Sequence, residues 1–220
     1  MADSELTSTP GRKPASQYHH GDLRNALLQE AVKAIGTEGV EKLTLRDVGA
    51  RLGVSRTALY RHFPDKAALL AAVAAEGFQR LRADLLHAWT SAEGTRRGFD
   101  LMGVAYVGFA VAHPSHYRVM FGDYRRLCEG HDDLQGAAGS AFDALQQAIT
   151  ALQTARLARH DDPMLMAQFV WATVHGIALL AIDGQMGPAP ESGERLAALL
   201  RYSLVRLRAA LDADPTGTVR

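Results

Sequence analysis

Basic and hydroxyl side chains follow one another at helical spacing in the N-terminal third of the chain. Thr57 and Arg61 are four residues apart and share one face of a helix predicted over 55–62, flanked by Arg56 and Tyr60. An arginine can donate two parallel hydrogen bonds to guanine O6 and N7, and a threonine can bond a base edge or touch a thymine methyl. This face indicates contact with the major groove of DNA, with Tyr60 as a donor to a phosphate.

Local charge supports this interpretation although the whole chain is neutral. The 220 residues include 24 basic and 24 acidic side chains, so no overall attraction to nucleic acid or to a membrane follows. Between Lys42 and Lys66, six basic residues stand against two acidic ones, a local excess of +4. An ordinary solvated helical face is the alternative. Lys66 lies in the first turn of the next helix, where a cation opposes the helix dipole unless an anion docks there.

Two short helices joined by a tight turn are expected to position the basic face. Thr44 and Ser55 are the residue types that cap helix N-termini, and Gly53 lies where the turn needs a positive φ. Gly49 inside a helix costs about 1 kcal/mol relative to alanine, which is tolerable where another helix crosses closely. Together with the apolar Leu59, this pattern is typical of a helix-turn-helix.

The rest of the sequence predicts further helices and no strands, because apolar positions recur at spacings of three and four. The fold class is therefore all-α, with an N-terminal helix-turn-helix unit of three helices followed by a larger helical ligand-binding and dimerisation domain. We expect a tail over 1–19, a DNA-binding domain over 20–66 and the larger domain over 67–220. The expected helices cover residues 22–37, 44–51, 55–62, 65–90, 96–112, 115–122, 132–159, 162–183 and 191–212.

The cysteine count and the N-terminus favour a cytoplasmic protein. Cys128 is the only cysteine, which excludes a disulfide within one chain and a cysteine-built metal site. Residues 1–17 are polar and do not resemble a signal peptide. Residues 163–182 carry no charged side chain and are long enough to span a bilayer, but His175 would then lie in hydrocarbon. We therefore expect a helix buried inside a soluble protein and no membrane association.

Aromatic and thioether side chains in the second half could line an apolar pocket with one polar group. Some of them share helix faces, as Trp171 and His175 do at a spacing of four. Ordinary core packing is the alternative for each of them, and most of all for His175. The candidate pocket residues are Tyr106, Phe109, Met120, Phe121, Phe142, Trp171 and His175.

The last two helices are candidates for a homodimer interface. The final helix carries a broad apolar stripe, and the uncharged helix before it has no polar face to offer water. Two such helices from each chain would form a four-helix interface, whereas packing wholly within one chain is the alternative. The predicted interface residues are Val170, Leu196, Leu200, Leu204 and Leu207.

The sequence lacks the common motifs for catalysis and for cofactor binding. It contains no nucleophile elbow, P-loop, dinucleotide-binding glycine pattern or zinc-protease motif. His113 and His116 could suggest a metal, but a proline lies between them and no carboxylate pattern is near. We therefore predict no enzyme activity, no cofactor and no metal.

The N-terminal third resembles the DNA-binding domain of the TetR family of bacterial transcriptional regulators. The resemblance implies that Arg46 reaches a base. Ser55, the expected cap of the second helix, is also predicted to belong to the DNA-binding set. The resemblance implies phosphate contacts at Thr44, Tyr60, His62 and Lys66, and base contacts at Arg56, Thr57 and Arg61. The motifs that carry it are Leu45-Arg46-Asp47-Val48, Leu52-Gly53-Val54-Ser55, Leu59-Tyr60-Arg61-His62-Phe63, Lys66 and the preceding segment 18–24.

The second half resembles a TetR subgroup named for a Trp-His-Gly signature, here Trp171, His175 and Gly176, preceded by residues 113–121. These resemblances imply a repressor that binds a palindromic double-stranded DNA operator as a homodimer. A small apolar effector would release it. A helical small-molecule-binding protein or enzyme that does not act on DNA is the alternative.

Overall fold

The structure, a computed structural model, describes residues 20–128, 130–187 and 191–212. Within these ranges the chain forms nine α-helices and a 3₁₀ helix at Asp123–Cys128, without a strand, which confirms the all-α prediction. The tail predicted over 1–19 lies outside the described residues. The helices are α1 His20–Glu38, α2 Leu45–Leu52, α3 Arg56–His62, α4 Lys66–Ser91, α5 Arg96–Ala112, α6 Pro114–Phe121, α7 Asp132–Thr154, α8 Pro163–Ile182 and α9 Glu191–Leu211.

Helix α7 ends earlier than its sequence predicts, at Thr154 rather than at residue 159. Arg156 adopts a left-handed conformation with φ of 58°, and the Leu157 amide donates back to the Leu152 carbonyl over 2.8 Å. The buried side-chain amide of Gln153 then donates to the carbonyls of the following loop. The helix therefore closes with a left-handed turn at a residue that is not glycine, so the usual sequence signal is missing.

Helices α1 to α3 form a small N-terminal bundle around apolar side chains. Leu27 and Ala31 of α1 are fully buried, and Val48 of α2 and Leu59 of α3 are almost fully buried. Phe63, the C-cap of α3, is buried as well and belongs to the same core. The bundle is thereby held to the start of α4, which follows within three residues.

Helix α4 is the central element of the larger unit. It packs against α5, α6 and α7, and it also contacts α1 of the N-terminal bundle. Its N-terminus is capped by Asp65, whose carboxylate accepts from the Ala68 amide over 2.8 Å. Because α4 begins beside α3 and continues for 26 residues into the larger unit, any tilt of α4 moves the N-terminal bundle.

Helix α6 lies against both α1 and α4 because small residues allow it close. A Cβ added to Gly77 of α4 would lie 2.5 Å from the sulfur of Met120 on α6. A Cβ added to Gly36 of α1 would lie 3.0 Å from the Ser115 hydroxyl of α6. The short α6 therefore connects the two helical units directly.

Helix α8 is apolar and long enough to span a membrane by length and composition, and a third of its most apolar window is buried in the chain. It packs against α5, α7 and α9, so the expectation of a helix buried inside the chain holds for one side only. On the other side Leu165, Phe169 and Leu180 are exposed. An apolar stripe of this kind on a helix surface indicates a partner surface.

Candidate nucleic-acid interface and internal cavity

Side-chain caps and a left-handed glycine fix the geometry of α2, the turn and α3. The Thr44 hydroxyl accepts from the Asp47 amide over 3.1 Å, which caps the start of α2, and donates to the Asp47 carboxylate over 2.6 Å. Gly53 ends α2 with φ of 67°, and the Ser55 hydroxyl caps α3. The sequence features that predict a helix-turn-helix therefore act locally as expected.

Close packing of α2 against α3 sets which face of α3 points outward. A Cβ added to Gly49 would lie 3.0 Å from a methyl group of Leu59, so the helices cross where the glycine is placed. Leu59 and Phe63 are each only 2% exposed and anchor the inner side of α3. The opposite side is therefore left to solvent.

The outward face of α3 carries the predicted groove-reading side chains. Arg56, Thr57, Tyr60 and Arg61 are all exposed. The guanidinium of Arg56 lies 5.7 Å from the centre of the Tyr60 ring, which stacks the cation on the aromatic face. Within the described residues, neither Arg56 nor Arg61 forms an ion pair, so their donors remain available for a ligand.

The remaining predicted DNA-binding residues border this face. Arg46 on α2 is exposed and, in the described part of the chain, has no ion-pair partner. His62 is half-buried at the C-terminal end of α3. Thr44 and Ser55 are exposed, but both hydroxyls already serve as caps. Thr44 would have to exchange its bond to Asp47 for one to a phosphate.

Two of the six basic residues between Lys42 and Lys66 are engaged within the protein. Arg51 pairs with Glu38 and lies 3.6 Å from Glu30, both on α1. Nζ of Lys66 donates to the backbone carbonyls of Val40 and Glu41, over 2.7 and 3.1 Å. A lysine at a helix N-terminus is repelled by the positive end of the helix dipole, and here these two carbonyls, rather than an anion, stabilise its charge. The phosphate contact of Lys66 stays a prediction.

A cavity of about 440 Å³, called the internal cavity, lies among α4, α5, α7 and α8, with one lining residue each from α6 and α9. Four of the predicted pocket residues line it, namely Tyr106, Phe121, Phe142 and Trp171. The other lining residues are Phe78, Leu81, Leu85, Phe99, Met102, Gly103, Gln135, Ala138, Gly139, Ala141, Leu145, Gln168, Val170, Val174 and Leu204.

Phe109 and Met120 do not line this cavity, so their prediction as pocket residues is corrected. The Phe109 ring is 2% exposed and lies 5.1 Å from the His113 ring. Met120 packs into the space left by Gly77 of α4. Three residues along a helix turn by about 300°, so Phe109 points about 60° away from Tyr106. Both side chains belong to the core.

His175 lies next to the cavity, in a hydrogen-bonded cluster rather than on the cavity wall. Its Nδ1 is 2.6 Å from the Tyr117 hydroxyl and 3.1 Å from the Tyr106 hydroxyl, and Trp171 donates its indole N–H to Tyr106 over 3.0 Å. Burial lowers the pKa of His175 and raises the pKa of Tyr106 to about 12. The cluster is therefore uncharged at neutral pH.

Sequence reasoning missed Tyr117 as a member of this cluster. Its side chain is fully buried, and its hydroxyl hydrogen-bonds to both Tyr106 and His175. Burial raises the pKa of Tyr117 as well. The sequence feature that could have identified Tyr117 is its position within residues 113–121, the segment on which the C-terminal resemblance also rests.

A second, shallower depression lies on the outward side of α8. Trp171 and Gln168 line both this depression and the internal cavity. His175, Ala172 and Gly176 complete its lining. Trp171 therefore separates the interior of the larger unit from the exposed apolar side of α8.

Two of the five predicted dimer residues, Val170 and Leu207, are buried within one chain, and their assignment to the interface is corrected. The assignment of Leu196, Leu200 and Leu204 stays a prediction. Val170 is 4% exposed and Leu207 3% exposed, so a second subunit could not reach them. Leu204 packs against Gly103 and lines the cavity. Leu196 and Leu200 are half-buried against the same core. The exposed large apolar side chains of these helices are Met164, Leu165, Phe169, Leu179 and Leu180 on α8, and Tyr202 and Val205 on α9.

Of the two residues considered for a metal, His116 is buried in the larger unit and His113 is half-buried. The His113 and His116 rings are 5.9 Å apart at an angle of 86°, and Nε2 of His116 faces a Glu76 carboxylate oxygen over 3.9 Å. Among the described residues, no group of three or more histidine, cysteine, aspartate or glutamate side chains is arranged to hold a metal ion. The side chain of Cys128 lies outside the described residues.

Two family models match the chain. Residues 27–73 match the model described as bacterial regulatory proteins, tetR family. Residues 99–203, which include Trp171, His175 and Gly176, match the model described as tetracyclin repressor-like, C-terminal domain. The first match spans the helix-turn-helix, and the second spans most of the cavity lining.

Curated relatives include a nucleoid occlusion factor and an HTH-type regulator. Nucleoid occlusion factor SlmA of Idiomarina loihiensis is 26% identical over 151 residues, covering 69% of this chain and 76% of that protein. The uncharacterized HTH-type transcriptional regulator MT0489 of Mycobacterium tuberculosis is 34% identical over 113 residues, covering 50% of this chain and 47% of that protein.

Solved structures share the fold along most of the chain. A protein of unknown function from Rhodococcus sp. RHA1 superposes with a TM-score of 0.78 at 33% identity, covering 90% of this chain and 99% of that one. A TetR-family transcriptional regulator from Pectobacterium atrosepticum superposes with a TM-score of 0.63 at 26% identity, covering 87% and 95%.

Proposed function

The chain belongs to the TetR family and is a transcriptional regulator with a DNA-binding domain, and we propose that it is a ligand-responsive repressor that binds a palindromic operator as a homodimer. The observation that carries this proposal is the outward face of α3. There Arg56, Thr57 and Arg61 are exposed, the two arginines are unpaired within the described residues, and the buried Leu59 anchors the opposite side.

We place α3 in the major groove, with Arg56, Thr57 and Arg61 reading bases and Arg46 reaching a base from α2. We assign phosphate contacts to the remaining predicted residues, which are Thr44, Ser55, Tyr60, His62 and Lys66. Arginine donors suit guanine edges, and the exposed tyrosine hydroxyl suits a phosphate oxygen. These contacts would fix the register of one protomer on one half-site.

A homodimer is supported by the exposed apolar stripe of α8 and α9. TetR regulators bind DNA and usually act as dimers. Phe169 and Leu180 on α8 would meet their copies, beside Tyr202 and Val205 on α9, in a four-helix interface. A second subunit that covers this stripe would shield the exposed apolar side of α8 from water, so no membrane is needed to cover it. We therefore place the protein in the cytoplasm.

The internal cavity supports a role for a small-molecule effector. Phe78, Leu81 and Leu85 of α4 line it, and α4 begins beside α3. An effector that favours one tilt of α4 would change the spacing of the two α3 helices in a dimer. The available coupling is commonly about 1–3 kcal/mol, set by the difference in effector affinity between the two states.

Selection of bound fragments from a randomised duplex library tests this proposal. We expect the selected sites to be palindromic, because two identical α3 helices related by a two-fold axis read two identical half-sites. A helical small-molecule-binding protein or enzyme that does not act on DNA is the alternative, and enrichment of no sequence would favour it. Family membership indicates a regulator rather than an enzyme.

A further inference from the structure

The cavity wall carries aromatic rings but, among the described residues, no charged side chain. Six of its lining residues are aromatic, and the remaining ones are aliphatic, small or amide-bearing. Four of the rings are in contact in series, with Phe121 lying 5.2 Å from Phe78 and 6.2 Å from Trp171, and Phe142 lying 6.1 Å from Trp171. An anionic group placed among them would lose its hydration without gaining a counter-ion, which is strongly unfavourable.

The polar atoms at the inner wall are already satisfied by one another. The Tyr106 hydroxyl accepts from Trp171 and lies within hydrogen-bond distance of Tyr117 and His175. A polar group of a ligand at that end would therefore have to break an existing hydrogen bond. The free energy of binding there has to come from apolar contact and ring packing.

Two glutamines mark the opening of the cavity. Gln135 on α7 and Gln168 on α8 line it and are exposed to solvent. Their amides offer donors and acceptors but no charge. A neutral hydrogen-bonding group of a ligand can be met here, while an ionised group has no counter-ion.

We infer that the cavity binds an electrically neutral molecule with a polycyclic aromatic body, its polar group turned towards Gln135 and Gln168. This inference rests on the proposed function for its regulatory meaning and specifies the class of effector. The volume of about 440 Å³ is within the usual range for small-molecule sites. Carboxylates and phosphate esters are excluded as the inserted body.

Two fluorescent probes with one ring skeleton test this inference without DNA. N-phenyl-1-naphthylamine is neutral, and 8-anilinonaphthalene-1-sulfonate differs from it by one sulfonate. We expect saturable binding of the neutral probe, with the sulfonate weaker by about tenfold or more, which corresponds to about 1.4 kcal/mol. Absence of saturable binding by the neutral probe, or sulfonate affinity equal to or above it, overturns the inference.

A matched pair of glycine substitutions on α7 locates the site. Gly139 lines the cavity and Gly136 does not, while both are exposed and have open space where a Cβ would be added. Leucine at either position improves helix propensity, so both variants should fold. Gly139→Leu should weaken the neutral probe several-fold and Gly136→Leu should leave it unchanged. Equal effects of the two variants would place the probe elsewhere and overturn the inference.

A charge introduced at the opening tests the selectivity itself. Gln135→Lys should strengthen binding of the sulfonate several-fold relative to binding of the neutral probe. Gln147→Lys, on the exposed side of the same helix and away from the cavity lining, should change neither. No gain in sulfonate affinity for Gln135→Lys beyond that for Gln147→Lys would contradict the placement of the polar group.

Failure of this inference and failure of the proposed function are distinguishable. If the sulfonate binds as tightly as the neutral probe while palindromic DNA is still bound, the ligand class is wrong and the regulator assignment is unaffected. The neutral probe could instead bind as described and, at saturating probe concentration, leave the affinity of the protein for DNA unchanged. The ligand class would then stand, and the proposed release from DNA would be wrong for this class of probe.

Discussion

Nζ of Lys66, the first residue of α4, donates a hydrogen bond of 2.7 Å to the backbone carbonyl of Val40, in the segment that follows α1. A second bond of 3.1 Å reaches the Glu41 carbonyl. The ammonium also lies 5.7 Å from the Tyr124 ring of the 3₁₀ helix. One side chain thereby joins the N-terminal bundle, the start of α4 and the larger unit.

Removal of this ammonium should destabilise the protein as well as weaken DNA binding. Hydrogen bonds to charged groups contribute about 1.5–3 kcal/mol, so Lys66→Ala should lower the free energy of unfolding by about that amount in urea titrations. Lys42→Ala is the control, because Lys42 is exposed and no ion pair engages it within the described residues. Unchanged unfolding of Lys66→Ala, with only a flatter salt dependence of DNA binding, would assign Lys66 to phosphate contact alone.

A charge in the exposed stripe of α8 should break the dimer. Phe169 is 50% exposed within one chain, and we expect Phe169→Glu to give a folded monomer in analytical ultracentrifugation, because two buried carboxylates would face each other in the interface. Val111→Glu, at an equally exposed apolar residue on α5, should remain dimeric. A Phe169→Glu protein that sediments as a dimer would contradict the placement of the interface.

Acid should destabilise the fold partly through His116. Burial lowers the pKa of His116, with Glu76 opposing the shift and Arg80 and His113 adding to it. The unfolded chain therefore binds more protons, and stability is lost as pH falls through the ordinary histidine value of about 6.5. His116→Gln should lose less thermal stability than the wild type between about pH 7.5 and pH 5.5. The control is His87→Gln, at an exposed residue of α4, which should lose as much thermal stability as the wild type. Equal losses of stability in all three proteins would contradict the prediction.

Local chemistry explains why the helix-turn-helix could be predicted from the sequence. The cap at Thr44, the positive φ at Gly53 and the cap at Ser55 depend on residues within three positions, so single residue types report them. The turn makes α2 and α3 cross, and this crossing brings Leu59 against Gly49. The exposed side of α3 then follows from helical geometry.

The inner and outer sides of the larger unit could not be predicted in the same way. Helix α8 is apolar around its whole circumference, so its sequence does not indicate that Val170 faces inward and Phe169 outward. The buried position of Met120 depends on Gly77, which is 43 residues away along the chain. The partners of Lys66 are backbone carbonyls, which no residue type reveals.

The affinity of the Arg56→Ala and Arg61→Ala variants for a selected palindromic duplex tests the central claim most directly. We predict that each substitution costs about 1–3 kcal/mol on the selected site and relaxes preference at one base pair per half-site, while affinity for unrelated duplex changes little. Arg97→Ala, at an exposed arginine of α5, should bind both duplexes as the wild type does. Wild-type affinity and specificity in both the Arg56→Ala and Arg61→Ala proteins would contradict the placement of α3 in the groove.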